Sequence, residues 1–190
     1  RHQQRIAAIV AAAPKGTSPA RKQFIERFYA HTTLLNLDSL PPARSADIAL
    51  AAEKFYATRP EKNAPKISVT AVTVKEGARS LTRTQVMALN TDMPFLVDSL
   101  TGLFTSLGLS IHLICHPILT TARDAKGNAV AGKEGNAESL IYVELSPLPT
   151  TLSPKQLTAK MTHVLDHVAA AVADWRTMRD RVPALAAEYN

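Results

Sequence analysis

The apolar positions of this chain change their period about a third of the way along it. From Arg1 to Ala13 they gather on one side of a helix, at Ile6, Ile9, Val10 and Ala13, and Pro14 and Gly16 stop it. Ser18 stands as an N-cap before Pro19, and Phe24, Ile25, Phe28 and Tyr29 form the next apolar stripe. Pro41 and Pro42 break the chain. A third helix is predicted over roughly 43–58, burying Ile48, Ala49, Ala52, Phe55 and Tyr56. The stretch Arg59 to Pro65, rich in charge and turn formers, reads as a linker.

After Pro65 the period is two. Ile67, Val69, Ala71 and Thr73 alternate with Ser68, Thr70, Val72 and Val74 in a first strand, followed by a turn over Lys75 to Arg79 containing Gly77. Leu81 to Leu89 is a second strand. Asp92 is expected to cap the following helix, with Pro94 in its first turn and Leu96, Leu100, Leu103 and Leu107 on its inner face. Gly102 inside that helix costs about 1 kcal/mol relative to alanine and points to a close neighbouring backbone. Leu109 to Thr121 reads as one continuous strand, Asp124 to Ala137 as a glycine-containing connection, and Ser139 to Leu145 as a fourth strand. Ser153 and Pro154 open a long helix with Leu157, Met161, Val164, Leu165, Val168 and Val172 inside, ending near Arg181 before Pro183. The order predicts an α+β fold: an antiparallel sheet with two helices on one face over residues 63–190, preceded by a small helical region, 1–62.

Composition narrows the function classes. With 46% hydrophobic and 20% charged residues among 190, the chain is an ordinary globular one, not a disordered one. No run approaches the roughly 20 apolar residues that span a bilayer. The alanine-rich stretch Ile6 to Ala13 reads as a helix rather than a secretory signal, so a cytoplasmic location is expected. One cysteine excludes a disulfide scaffold and a multi-cysteine zinc site. The net charge of +6 admits anionic partners, but the basic residues are scattered and the ten aromatics (Trp 1, Tyr 4, Phe 5) are not interleaved with arginine. Neither a nucleic acid nor a membrane is therefore expected as partner.

Few residues present themselves for chemistry. His112 and His116 share one face of a predicted strand about 13 Å apart, too far for one metal, and read as hydrogen-bonded histidines or separate contacts. His163 and His167 lie on the polar face of the long helix, and Val164 stands where a zinc protease carries glutamate. Cys115, among Leu113, Ile114 and Ile118, reads as a buried structural thiol. Asp92 and Asp98, six apart across a helix start, point in different directions. No phosphate loop, nucleophile elbow or kinase signature occurs, so neither a catalytic residue nor a metal site is expected.

One block carries a resemblance. ALNTDMPFLVDSLTGLFTSLGLSIHLICHPIL, from Ala88 to Leu119, resembles the motif block of the very large bacterial NAD-dependent glutamate dehydrogenases, most specifically in Asp92 to Ser99. Arg123-Asp124 with Gly127, Glu138-Ser139-Leu140, and Asp174-Trp175 with Met178 agree with it in order. The resemblance implies an N-terminal segment of such an enzyme, with the catalytic residues and the NAD site in downstream domains of the same chain and no cofactor here. It further implies a cytoplasmic homo-oligomer.

The same block resembles an ACT domain, a βαββαβ (ferredoxin-like) regulatory fold that binds amino acids at a subunit interface. Asp92 and Pro94 match that pattern, and Phe95 stands where its glycine would be. The implied effector site comprises Asp92, Met93, Phe95, Asp98, Ser99 and His112, with Leu100 and His116 as interface residues. A helix N-terminus suits the α-carboxylate of an amino-acid effector, and the two aspartates its α-amino group. A phenylalanine in the cleft favours the alternative of a structural assembly module without ligand. A third reading, a basic nucleic-acid binder, has only the net charge behind it.

Overall fold

The computed structural model describes residues 1–60, 64–76, 79–130 and 132–188, with side chains for all of these except 76, 176–180 and 182–188. The N-terminal third is helical. In α1 (His2–Ala11) Ile6 and Ile9 are buried, and α2 (Pro19–Tyr29) starts with the Ser18 hydroxyl accepting a hydrogen bond from Arg21 N. A five-residue helix, α3 (Leu34–Asp38), follows, capped by Thr33. It is too short to leave a periodic signal and went unpredicted. The next helix, α4 (Pro42–Tyr56), buries Ile48, Ala49, Ala52 and Tyr56.

Two long strands open the sheet. β1 (Lys66–Glu76) and β2 (Arg79–Thr91) pair antiparallel from Lys66↔Leu89 to Glu76↔Arg79. Of the predicted turn, residues 77 and 78, Gly77 included, lie outside the described residues, as do 61–63 of the predicted linker. The helix α5 (Leu96–Ser106) then crosses the sheet. It begins after Phe95, so Pro94 precedes it and Asp92 is not its cap. Gly102 is exposed with open space around its α-carbon, so the close neighbour expected there is absent.

The predicted continuous strand is two strands, β3 (Ile111–Cys115) and β4 (Ile118–Thr120). Pro117 has no N–H to give a ladder and divides them. Its carbonyl still accepts from Leu140 N at 3.0 Å. The connection contains a small hairpin, β5 (Ala122–Arg123) and β6 (Ala129–Val130), ahead of β7 (Ala137–Leu145). Last comes α6 (Pro154–Glu188), which continues past Pro183 where an end was predicted. A proline ends a helix only where the lost hydrogen bond and the clash with the preceding turn are not accommodated.

The strand order is β1-β2-β7-β3, with β4 also on β7, all antiparallel. β7, the last strand in sequence, is thus the middle of the sheet, and every residue from Glu138 to Leu145 is buried. β2 and β3 run parallel on either side of it, joined through α5. In a βαββαβ unit a strand following the second helix would lie beside β2. Here β1 holds that position from the other end of the sequence, and α6 packs across it and α5.

Each face of the sheet is covered. Val86, Ala88, Ile141, Val143 and Leu145 meet Leu96, Leu100 and Phe104 of α5 and Leu157, Met161 and Leu165 of α6. Met87, Leu89, Leu113, Cys115, Leu140 and Tyr142 face the other way, onto Ile9, Ile25, Phe28, Tyr29 and Ala49 of the helical region. The two helices on one face are as predicted, and the helical region supplies a third layer sharing a core with the sheet.

Candidate functional site

The loop between β2 and α5 is the part of the fold that most resembles a site, and its residues divide into three groups. The first is a closed polar triplet. Asp92 N donates to Ala137 O at 2.9 Å, which ties the loop to the start of β7. The Asp92 carboxylate accepts the Ser139 hydroxyl at 2.6 Å, and His116 Nε2 lies 3.0 Å from the same Ser139 oxygen. With its proton committed to Asp92, Ser139 can only accept from His116, which fixes the ring as the Nε2–H tautomer. Burial lowers the His116 pKa below its ordinary value, opposed by the neighbouring Asp92. A serine, a histidine and an aspartate thus meet, but the serine is fully buried and its proton points at the carboxylate. The nucleophile–base geometry of a catalytic triad is reversed.

The second group surrounds Phe95. Its φ is +70°, the left-handed region, and it is the only non-glycine residue there among the described residues. This explains why a glycine suits the position in the ACT pattern: glycine adopts that conformation without a Cβ penalty. Phe95 is also 61% exposed. With Ser99 it borders an open groove of about 430 Å³, completed by His163, Val164, His167, Val168 and Ala171 of α6. The two histidine rings lie 4.2 Å apart on its wall. Among the described residues, no group of three or more His, Cys, Asp and Glu could hold a metal.

The remaining predicted residues are elsewhere. Met93 packs against the α5–α6 core, Asp98 is exposed, and Leu100 is buried within that core rather than on a surface. His112 does not share a face with His116. The register shifts between Ile111 and Leu113, so a bulge turns His112 away, and its Nε2 lies 2.6 Å from Arg83. The structure therefore brings Asp92 to His116 and Phe95 to Ser99, and leaves His112, Asp98 and Leu100 apart.

A larger recess was missed. It has a volume of about 560 Å³ and lies where the tail of α4, the β5–β6 hairpin and the start of β7 meet. Arg59, which lies in the stretch that reads as a linker, is 3% exposed at its floor. Its guanidinium donates to Glu138 at 2.9 Å, to Thr91, and to the Ala64 carbonyl. Arg123 grips the same carboxylate through Nε and Nη2, at 3.0 and 2.7 Å, and reaches the Tyr56 and Gly127 carbonyls. The hairpin can approach this closely only because Gly127 has no side chain: a Cβ there would lie 2.0 Å from the Arg59 carbonyl oxygen. One signal was legible beforehand. Glu138 and Glu144 bracket the otherwise apolar or uncharged run from Ser139 to Val143, and carboxylates at the ends of a buried strand need partners.

The split βαβ crossover, the central β7 and the left-handed loop residue before α5 define an ACT-like α/β domain. A family model described as "Glutamate dehydrogenase, ACT1 domain" matches residues 24–161. The chain belongs to that family. It is 30% identical over 166 residues to the NAD-specific glutamate dehydrogenase of Pseudomonas aeruginosa, which covers 82% of this chain and 10% of that protein. To the NAD-specific glutamate dehydrogenase of Halomonas elongata it is 28% identical over 176 residues, 88% of this chain and 11% of that protein. The chain thus spans about a tenth of the length of these curated relatives. No described helix is long and apolar enough to cross a membrane.

Proposed function

We propose that this chain is the N-terminal regulatory and assembly segment of a cytoplasmic, homo-oligomeric, NAD-dependent glutamate dehydrogenase. The parent enzyme oxidises L-glutamate to 2-oxoglutarate and ammonia, and passes the hydride to NAD in downstream domains. The names of the two relatives, and the small share of each that this chain covers, support that assignment. This segment supplies no catalytic group.

The observation that favours assembly is Phe95. A left-handed conformation costs a side chain roughly 1–2 kcal/mol. An exposed ring returns little of that within its own chain. Strain retained for the sake of an exposed aromatic suits a side chain whose contacts lie on another surface. Effector binding at the same loop has less support, because Asp92 and His116 already share Ser139 and His112 is directed elsewhere.

Phe95→Gly tests this reading. Glycine relieves the backbone, so thermal stability of the chain is expected to hold or to rise by up to about 1 kcal/mol. Sedimentation velocity of the parent enzyme is expected to show smaller species. An unchanged oligomer would remove the assembly role.

A further inference from the structure

We propose that the recess between the α4 tail, the β5–β6 hairpin and the start of β7 binds a small organic carboxylate that carries no ammonium group. Among the described residues its buried charges are unbalanced. The guanidiniums of Arg59 and Arg123 share one carboxylate, Glu138, and all three side chains are at most 12% exposed. A buried cation without its own counter-charge is costly, and an anion entering from solvent would supply one. A third cation nearby reinforces this. Lys66 donates to the Phe55 and Thr58 carbonyls at the end of α4, and burial together with Arg123 lowers its pKa.

The inventory of hydrogen-bonding groups sets the class of ligand. Donors remain. Arg123 uses four of its five N–H groups on Glu138, Gly127 and Tyr56, leaving one on Nη1. Thr91 accepts from Arg59, and its own proton has no acceptor among the described residues. Asn136, exposed on the wall, makes no side-chain hydrogen bond among them. Among the described residues that line the recess, no carboxylate is left free to accept. Both oxygens of Glu138 take guanidinium N–H groups. Asp124 at the rim accepts from Lys126 N, Asn128 N and Asn128 Nδ2 within its own turn. Among the described residues an ammonium group would find no free carboxylate here, whereas a carboxylate would find the remaining Arg123 N–H, the Thr91 hydroxyl and the Asn136 amide. The recess, about 560 Å³, has room for an organic body that inorganic phosphate would leave unfilled.

The choice of probe, though not the site, follows from the reading of the parent as a glutamate dehydrogenase. Isothermal titration of the 190-residue chain with 2-oxoglutarate, L-glutamate and inorganic phosphate at matched ionic strength tests the proposal, with circular dichroism as the check on folding. Saturable binding of 2-oxoglutarate is expected, at least tenfold tighter than glutamate or phosphate. Asn136→Asp adds a carboxylate to an exposed wall position, so it should leave the fold intact and weaken 2-oxoglutarate at least tenfold. No heat from a folded chain would overturn the proposal. So would phosphate or glutamate binding as tightly, or an Asn136→Asp variant that binds unchanged. The oligomeric state of the Phe95→Gly enzyme is a separate readout, so either idea can fail without the other.

Discussion

Cys115 shows what burial does to a single reactive group. The thiol lies in the core between sheet and helical layer, and burial pushes its pKa up to about 12 from an ordinary value of 9.0. The folded chain therefore holds that proton where the unfolded chain has released it. The thiol's contribution to stability is complete below pH 9 and is lost as pH rises from there towards 12. A thiol reagent at pH 8 is expected to leave Cys115 unmodified in the native chain and to label it fully in denaturant. Rapid native labelling would show that the thiol is accessible. The basic residues tell a related story. Arg5 holds the Leu37 and Leu40 carbonyls, Arg44 holds Glu144, and Arg59 and Arg123 hold Glu138. Part of the positive charge that raised the question of nucleic acid is thus committed inside the molecule.

Between elements, polar clamps set the spacing of the helical layer on the sheet. Glu138 and Glu144 project from one face of β7 at its two ends, with Leu140 and Tyr142 between them in the core. Arg44 of α4 takes both oxygens of Glu144 at 2.7 and 2.6 Å, and the Tyr142 hydroxyl adds a third bond. At the other end Glu138 joins Arg59 to Arg123. Removing a buried carboxylate strands two guanidiniums, so Glu138→Gln is expected to lower the unfolding free energy by about 3–5 kcal/mol in urea titration. The exposed Arg21–Glu53 pair provides the comparison: Glu53→Gln should cost less than about 1 kcal/mol. A similar loss from both would mean that Glu138 is not the shared anchor.

These clamps mark the limit of what the sequence made legible. Periodicity located α1, α2, α4, β1, β2, α5, β7 and α6, because the stripe in α2 or the alternation in β1 is itself the burial pattern. It failed at α3, which is shorter than two turns, and at β3, where a bulge reverses the alternation at His112. Of the candidate site, the Asp92 to Ser99 loop was visible as a motif. The Arg59 recess was not, because its residues come from four separate stretches, at 59–60, 91, 121–127 and 135–138, and most of them look locally like a turn or linker.

For the molecule as a whole, the question is whether residues 1–62 and 63–190 behave as two units. The face of the sheet carrying Met87, Leu89, Leu113, Leu140 and Tyr142 has no cover other than the N-terminal helices among the described residues. A chain lacking residues 1–62 would expose this face, leave Glu144 without its guanidinium and deprive Glu138 of one of its two. It is expected to aggregate or to bind a hydrophobic dye, and the intact chain to unfold in a single calorimetric transition. Two separate transitions in the intact chain, or a well-behaved 63–190 fragment, would establish independent units.

The central position of β7 also has a meaning in time. The β1–β2 hairpin can close as soon as residue 91 is free, because its contacts are local. Nothing can lie beside β2 on its other side until Ala137 to Leu145 arrive, and β3 and β4 have no sheet to join before then. Until that moment Arg44 and Arg59 also lack their carboxylates. On a ribosome, more than forty residues therefore wait as loose pieces, and one late segment converts them together into a sheet, two cores and both clamps.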